Sequence, residues 1–359
     1  MQPLQTGSQR FTRGGLKMRI LIVTDAWDPQ VNGVVETLRN LSRALRLLGL
    51  EVEFVTPKEF RSVPLPTYAD IRLALTTRRA IARRIGLSKA DHVHIATEGP
   101  LGILARRACL AEGIPFTTSY HTRFPEYLRA RLPVPVSLSY RFLRRFHNAA
   151  SATLVATPTL SKELTSRGFR NLRLWNRGVD TELFHPKKRA DLGLAAPVFL
   201  YVGRIAVEKN LPAFLDLDLP GTKLVVGDGP DLPRLRAAYP DAVFAGARFC
   251  EDLARFFASA DAFVFPSRTD TFGMVLLEAM ASGLPVAAYP VMGPADIFAD
   301  GIGAVLSDDL REAALGALHL DRDACRHKAE RMSWNACAQL FLAHVRGATQ
   351  APHGAAAPA

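Results

Sequence analysis

Residues 18–57 read MRILIVTDAWDPQVNGVVETLRNLSRALRLLGLEVEFVTP. MRILIVT (18–24) is a short apolar run of the kind that forms a central parallel strand, and DAWDPQVNGV is a loop rich in turn formers. From near Val34 the apolar residues Leu38, Leu41, Ala44, Leu45 and Leu48 recur at helical spacing. Gly49 stands where a helix C-terminal cap is expected, and VEFVTP supplies the next strand. The unit is βαβ. It repeats through HVHIAT and PLGILARRACLAEGI, through PFTTSYH, and through ATLVATP followed by LSKELTSRGF, which predicts a doubly wound α/β domain over 18–190. After a turn-rich linker around 176–195 the alternation restarts with PVFLYVG, TKLVVGDGP, DAVFAGA, AFVFPS and PVAAYP. A second doubly wound domain is predicted over 195–330. Two such domains facing each other leave a cleft at the carboxyl ends of their strands, where ligands bind. Residues 1–17 and the low-complexity tail 347–359 are expected to be disordered, with the functional chain beginning at Met18.

The length of 359 residues, 48% of them apolar, suffices for two ordinary domains, each with its own core. Cys109, Cys250, Cys325 and Cys337 lack the close pair spacing of a zinc site or a disulfide framework, which fits a reducing cytoplasm. No apolar run approaches the roughly 20 residues needed to span a bilayer. The segment MQPLQTGSQRFTRGGLK also lacks the apolar core of a signal peptide, so a soluble or peripheral protein is expected. The net charge of +11 is unevenly spread: residues 1–194 hold +16, 195–320 hold −7 and 321–359 hold +2. A basic first half and an acidic second half read as two domains with different partners.

No G-x-G-x-x-G follows the first strand and no G-x-x-x-x-G-K-[ST] occurs, so neither of these phosphate loops is present. YVGRIAVEKNL (201–211) instead places Arg204 and Lys209 just after a strand, where they converge on an anion at the cleft. A diphosphate needs such double neutralisation when no metal provides it. Taken alone, the same residues read equally well as a solvated basic loop. In SRTDTFGMVLLEAMASGLPVAAYP (267–290), TDTFG ends a strand and opens a helix that Gly283 and Pro285 terminate. The free N–H groups near Phe272, Gly273 and Met274 then form a second anion site. Asp270 stands at its mouth, either as a ligand-binding carboxylate or as the cap of the helix. Glu278 belongs to no polar stripe, with Met274 and Val275 one turn before it and Ala279 and Met280 after it. A carboxylate there suits the vicinal hydroxyls of a ribose or a hexose, since each oxygen can accept a hydrogen bond.

The segments GRIAVEKNL, VVGDGP and PSRTDTFGMVLLEAMASGLPVAA, together with DAWDPQVNGVVETL, SYHTRFPEYL and NRGVDTELFHP, resemble the nucleotide-sugar-dependent retaining glycosyltransferases of family 4. The resemblance runs from about Met18 to Val345. In PQVNGVVETL and YHTRFPEYL it points to the branch of bacterial mannosyltransferases and glycolipid synthases that glycosylate diacylglycerol or phosphatidylinositol. It implies the α/β GT-B fold, two Rossmann-like domains facing across a cleft, the first binding the acceptor and the second the nucleotide sugar, with a C-terminal helix over 333–346 returning to the first domain.

The resemblance further implies that Arg204 and Lys209 hold the donor diphosphate, that Glu278 binds the nucleotide ribose, and that Asp270 touches the donor sugar hydroxyls. Asp270 stands where the family has the longer Glu, a departure that bears on sugar specificity. Gly33 lies where the family brings backbone close to the phosphates. His121 matches the family histidine near the donor sugar; outside the resemblance, a lone histidine after a buried strand reads as structural. Neither cofactor nor metal is implied, because Arg204, Lys209 and the helix N-terminus would stabilise the charge on the leaving diphosphate. No nucleophilic carboxylate of the kind used by retaining glycosidases is assignable. The family reacts on one face, the leaving phosphate helping to deprotonate the acceptor.

The expected activity is therefore transfer of a hexose from a UDP-glucose-like or GDP-mannose donor to a lipid, by a cytoplasmic protein peripheral to the inner face of the cell membrane. A soluble sugar or polysaccharide acceptor is the alternative. A nucleic-acid-binding protein is more distant, since no helix-turn-helix, zinc or aromatic single-strand motif accompanies the charge. Arg72, Arg78, Arg79, Arg83, Arg84 and Lys89 lie in a stretch without acids. Arg123, Arg129, Arg131, Arg141, Arg144 and Arg145 face only Glu126 and are interleaved with aromatic and aliphatic residues. Basic and apolar residues at this density predict an interfacial surface on the first domain, with Arg78, Arg79, Arg83, Arg84, Arg141, Arg144 and Arg145 meeting anionic lipid. Two ordinary solvated helices are the other reading.

Overall fold

A computed structural model of the chain describes residues 17–350 apart from 31, 66, 67, 122–124 and 126–134. The expected tails at 1–16 and 351–359, and Arg123, Arg129 and Arg131, lie outside the described residues. Strands β1 (Arg19–Val23) and β2 (Glu51–Val55) are followed by a separate antiparallel hairpin of β3 (Ser62–Leu65) and β4 (Tyr68–Ala74). Then come β5 (His92–Ile95), β6 (Phe116–Tyr120), β7 (Ala152–Val155) and β8 (Leu172–Leu174). Apart from the hairpin they form one parallel sheet in the order β2-β1-β5-β6-β7-β8. A second parallel sheet has the order β11-β10-β9-β12-β13-β14. Its strands are β9 (Val198–Val202), β10 (Thr222–Val226), β11 (Val243–Gly246), β12 (Ala262–Phe265), β13 (Val286–Ala288) and β14 (Ala304–Leu306). Each order reverses once, at β1/β5 and at β9/β12, and these switch points open crevices at the carboxyl ends of the strands.

Helices cover both faces of each sheet, so the central strands are apolar almost throughout. In the first sheet, Ile20 and Ile22 face the helix Gly33–Leu47, while Leu21 and Val23 face Ile81, Ile85, Leu101 and Phe146 of three helices on the other side. Asn32 starts the helix Gly33–Leu47: its Oδ1 accepts from the Val34 and Val35 amides at 3.0 and 3.1 Å. The exception to apolar strands is a buried polar run. His92 and His94 both meet the Thr117 hydroxyl, at 2.8 and 2.9 Å, and His94 also meets Ser119 at 3.0 Å, so these groups are buried but satisfied.

The helix Trp334–Gln350 returns to the first sheet. Cys337, Ala338, Phe341, Leu342 and Val345 pack with Leu38, Leu41 and Leu45. The expected disorder from 347 is corrected for 347–350, which are helical, because Ala348 continues the buried stripe. The outgoing and returning segments touch where they cross between the sheets. Val179 N–H donates to Met332 O at 2.9 Å, and a Cβ on Gly178 would lie 2.5 Å from the Trp334 nitrogen.

Candidate functional site

The second sheet brings the loops after β9 and β12 together because those strands are neighbours. Lys209 Nζ meets Asp270 Oδ1 at 2.6 Å, joining two residues that are 61 positions apart. Asp270 does not cap the following helix: Gly273, at φ +86°, occupies the cap position, with no side-chain cap bond. The other Asp270 oxygen is buried without a hydrogen-bond partner. Arg204 is exposed on the loop after β9, and its carbonyl accepts from the Tyr201 hydroxyl at 2.9 Å. Two glycines of VVGDGP make the crevice possible. A Cβ on Gly227 or Gly229 would fall 1.9 Å from Gly203 O or 2.2 Å from Ile205 O, so only glycine lets the loops after β9 and β10 lie this close.

The helix Met274–Ala281 starts at this crevice with its first amides uncapped by any side chain. A Cβ on Gly33 would stand 3.8 Å from Met274 Cγ, so the N-termini of the helices Gly33–Leu47 and Met274–Ala281 face each other across the cleft. The helix Met274–Ala281 presents uncapped N–H groups to this space, whereas Asn32 takes the Val34 and Val35 amides of the facing helix, which contributes its positive dipole end. Phe272 is buried beneath the loop. Glu278 lies one turn into its helix, and no hydrogen bond to its carboxylate is found among the described residues. Burial, and secondarily Glu36 of the first domain, pushes its pKa from 4.5 to about 7.

His121 follows β6 on the opposite wall. Its carbonyl accepts from Thr271 Oγ1 at 2.9 Å across the cleft, and its Nδ1 lies 3.2 Å from an Arg177 nitrogen. Nε2 is buried without a partner. Burial first, then the Arg177 charge, holds the imidazole pKa well below its usual value. The structure thus gathers Gly33, His121, Lys209, Asp270, Phe272, Gly273, Met274 and Glu278 around one cleft, with Arg204 on the loop after β9 that also bears Lys209. Among the described residues, no group of three or more His, Cys, Asp or Glu side chains could hold a metal ion.

Residues 31–183 match the profile described as Glycosyltransferase Family 4, and residues 196–320 match that of Glycosyl transferases group 1. A GDP-mannose-dependent alpha-mannosyltransferase of Mycobacterium tuberculosis is 31% identical over 307 residues, spanning 78% of this chain and 81% of that one. The chain belongs to the family 4 glycosyltransferases. The sulfoquinovosyl transferase SQD2 of Arabidopsis thaliana is 36% identical over 298 residues, which span 74% of this chain and 58% of SQD2, so the chain matches little more than half the length of that relative. An alpha-monoglucosyldiacylglycerol synthase of Streptococcus pneumoniae is 26% identical over 372 residues, 90% of this chain and 83% of that one. In architecture, the family 4 chain superposes on Anabaena Alr3699/HepE in complex with UDP-glucose, with a TM-score of 0.71 at 18% identity, covering 92% and 100% of the two chains. The fold is GT-B, and the protein is a hexosyltransferase.

On this family 4 enzyme the basic segments lie on neighbouring helices. Arg78, Arg79 and Arg83 are exposed on the helix Arg78–Ser88, Arg107 on Pro100–Glu112, and Arg141, Arg144 and Arg145 on Val136–His147. Arg106 ties the last two helices by donating to the carbonyls of Phe146 and Arg145 at 3.0 and 2.8 Å. Arg84 departs from the expected surface. It turns to Glu53 and Glu59 at 3.0 Å each, because a half-buried guanidinium is held better by carboxylates than by water alone. No helix of the described residues is long and apolar enough to cross a membrane.

Two residues of the cleft escape sequence reasoning. Asp25, after β1, accepts from the Leu101 and Gly102 amides at 2.8 and 3.2 Å and from Thr97 Oγ1 at 2.9 Å, anchoring the helix Pro100–Glu112. Arg177 is 4% exposed. The segment NRGVDTELFHP carried it in plain view, but nothing in a sequence distinguishes a buried arginine from the exposed majority.

Proposed function

We propose that this glycosyltransferase moves a hexose, with retention, from a nucleotide-diphosphate sugar such as UDP-glucose or GDP-mannose to a lipid acceptor such as diacylglycerol or phosphatidylinositol, at the cytoplasmic face of the membrane and without a metal. The observation that carries the donor assignment is the meeting of Lys209, on the loop after β9 that also bears the exposed Arg204, with Asp270 beside the uncapped N-terminus of the helix Met274–Ala281. The diphosphate sits there, its developing charge met by fixed positive groups. Gly33, Phe272, Gly273 and Met274 offer backbone to the phosphates. Glu278 accepts from the ribose diol, while Asp270 and His121 meet the sugar hydroxyls. The leaving phosphate takes the acceptor proton on the same face of the sugar.

The lipid assignment is supported by the outward stripe of the helix Val136–His147. Leu138 and Phe142 are 59% and 47% exposed on the same face as Arg141 and Arg145, a mixture suited to the headgroup boundary. The name of the pneumococcal relative, a monoglucosyldiacylglycerol synthase, agrees.

The test is transfer from UDP-, GDP- and ADP-sugars to diacylglycerol or phosphatidylinositol in mixed micelles, against soluble sugars. Arg204→Ala and Lys209→Ala should each lower turnover by about two to three orders of magnitude, and EDTA should leave it unchanged. Loss of activity on chelation, near-normal variants, or equal turnover on soluble acceptors without lipid would each contradict a stated part of the reading.

A further inference from the structure

Arg177 is buried, yet among the described residues no carboxylate pairs with it. A cation without a counter-ion in this position is disfavoured by desolvation, and burial pulls its pKa down to about 10. Its donors are instead spent locally. One guanidinium nitrogen donates to Trp175 O at 2.8 Å and to Asn176 O at 3.4 Å, and the group lies 4.3 Å over the Trp175 ring. The other terminal nitrogen points at Nδ1 of His121, at 3.2 Å. Trp175 is itself fixed, fully buried, with its indole N–H on Cys337 O at 3.1 Å.

A guanidinium offers donors and no acceptor. Nδ1 of His121 must therefore present its lone pair, which leaves the single ring proton of a neutral imidazole on Nε2. That nitrogen is buried and unpartnered. The groups around the ring agree with a neutral state: Arg177 is positive, His94 and His147 are the other titratable neighbours, Trp175 stands edge-on at 6.1 Å, and Thr271 binds only the carbonyl. No carboxylate is among the charges acting on the ring.

We propose that Arg177 is a positioning residue for sugar transfer: by donating to Nδ1 it fixes His121 as the neutral Nε2–H tautomer, a hydrogen-bond donor aimed at the donor sugar. The role in transfer rests on the reading under Proposed function. Glycosyl transfer develops positive charge on the sugar. An imidazolium beside it would repel that charge, and the opposite tautomer would present a lone pair where the sugar oxygen needs a donor.

Histidine labelled with nitrogen-15 in the full chain reads the tautomer directly, with His121→Asn assigning the resonance. Wild type should show a bare Nδ1 and a protonated Nε2 at pH 7, unchanged down to about pH 5, below the ordinary histidine range. In Arg177→Met, kcat should fall about 10- to 100-fold, the size found when a partner orienting a functional imidazole is removed, with the donor KM within about twofold. Removing the Arg177 charge should shift the acid limb of the rate to higher pH than in wild type, while burial still keeps the ring below the ordinary histidine range. Arg177→Lys keeps a cationic donor and should restore most of the rate and the original pH profile.

A merely structural arginine would change melting temperature and active fraction without moving the pH profile. A protonated Nδ1 in wild type, or an Arg177→Met profile that superimposes on wild type, overturns the proposal. Should the Met variant fail to fold, the wild-type spectrum and the Lys variant decide: a wrong tautomer, or a Lys variant with altered tautomer and full activity, refutes it. A wild-type chain that turns over no nucleotide sugar overturns the proposed function and the role in transfer together, whereas a wrong tautomer in an active enzyme overturns the role of Arg177 alone.

Discussion

Glu278 occupies a place where ionisation is disfavoured, and its titration follows from that. The folded protein holds a proton there between about pH 4.5 and 7, whereas the unfolded chain has already released it. The stability this group contributes is fully present below that window and is lost as pH rises through about 7. Above it, the ionised carboxylate costs on the order of 3 kcal/mol. Glu278→Gln should therefore melt several degrees above wild type at pH 8.5, the gain vanishing toward pH 4.5; calorimetry across that range checks it, and a gain independent of pH would contradict it. Ribose hydroxyls that donate to the carboxylate favour its charged form, so nucleotide binding near pH 6 should release a proton, visible as a dependence of the calorimetric heat on buffer. The same variant should bind nucleotide more weakly. An acid inside an apolar helix announced this residue in the sequence. Nothing announced Arg177 or Asp25, whose roles depend on which distant backbone or ring they meet.

The helix Val136–His147 divides its residues cleanly. Tyr140, Leu143, Phe146 and His147 turn inward, and Leu138, Arg141, Phe142 and Arg145, spaced three, four and seven apart, turn out. The interleaving of basic and apolar residues was legible in the sequence, but not the direction each side chain takes: Arg84 shares the composition of its neighbours and spends its charge on Glu53 and Glu59. Likewise β5 reads as a plain strand from its pattern, while the hydroxyls that satisfy His92 and His94 lie on another strand. Replacing Arg141, Arg144 and Arg145 by Glu should release the protein from anionic vesicles in co-sedimentation while leaving donor hydrolysis intact. Wild-type binding that ignored both anionic lipid and salt would contradict electrostatic docking.

Across the whole molecule, the alternation of strands and helices made both sheets and their switch points readable, because each βαβ unit is a local pattern. The contacts between the halves were not readable. The Thr159 amide donates to Asp296 Oδ1 at 3.0 Å and Thr271 to the His121 carbonyl, bonds between residues 137 and 150 positions apart. The two chain crossings meet at Gly178, where an added methyl would fall within 2.7 Å of three backbone atoms of Ser333 and Trp334. Gly178→Ala should cost about 1–3 kcal/mol and speed hydrogen exchange at the Val179 amide, which is bonded to Met332 O; unchanged exchange there would show that the crossings do not depend on this contact. The returning helix also sets a timetable. The strands of the first sheet are complete at Leu174, but Phe341 and Val345, which cover Ile20, Ile22 and Leu38, are translated only after every strand of the second sheet. At about 5–20 residues per second the interval is on the order of ten seconds or more. For that time the nascent first domain exposes an apolar flank that waits for the helix Trp334–Gln350, so the sheet made first on the ribosome is covered only after the second sheet has been made.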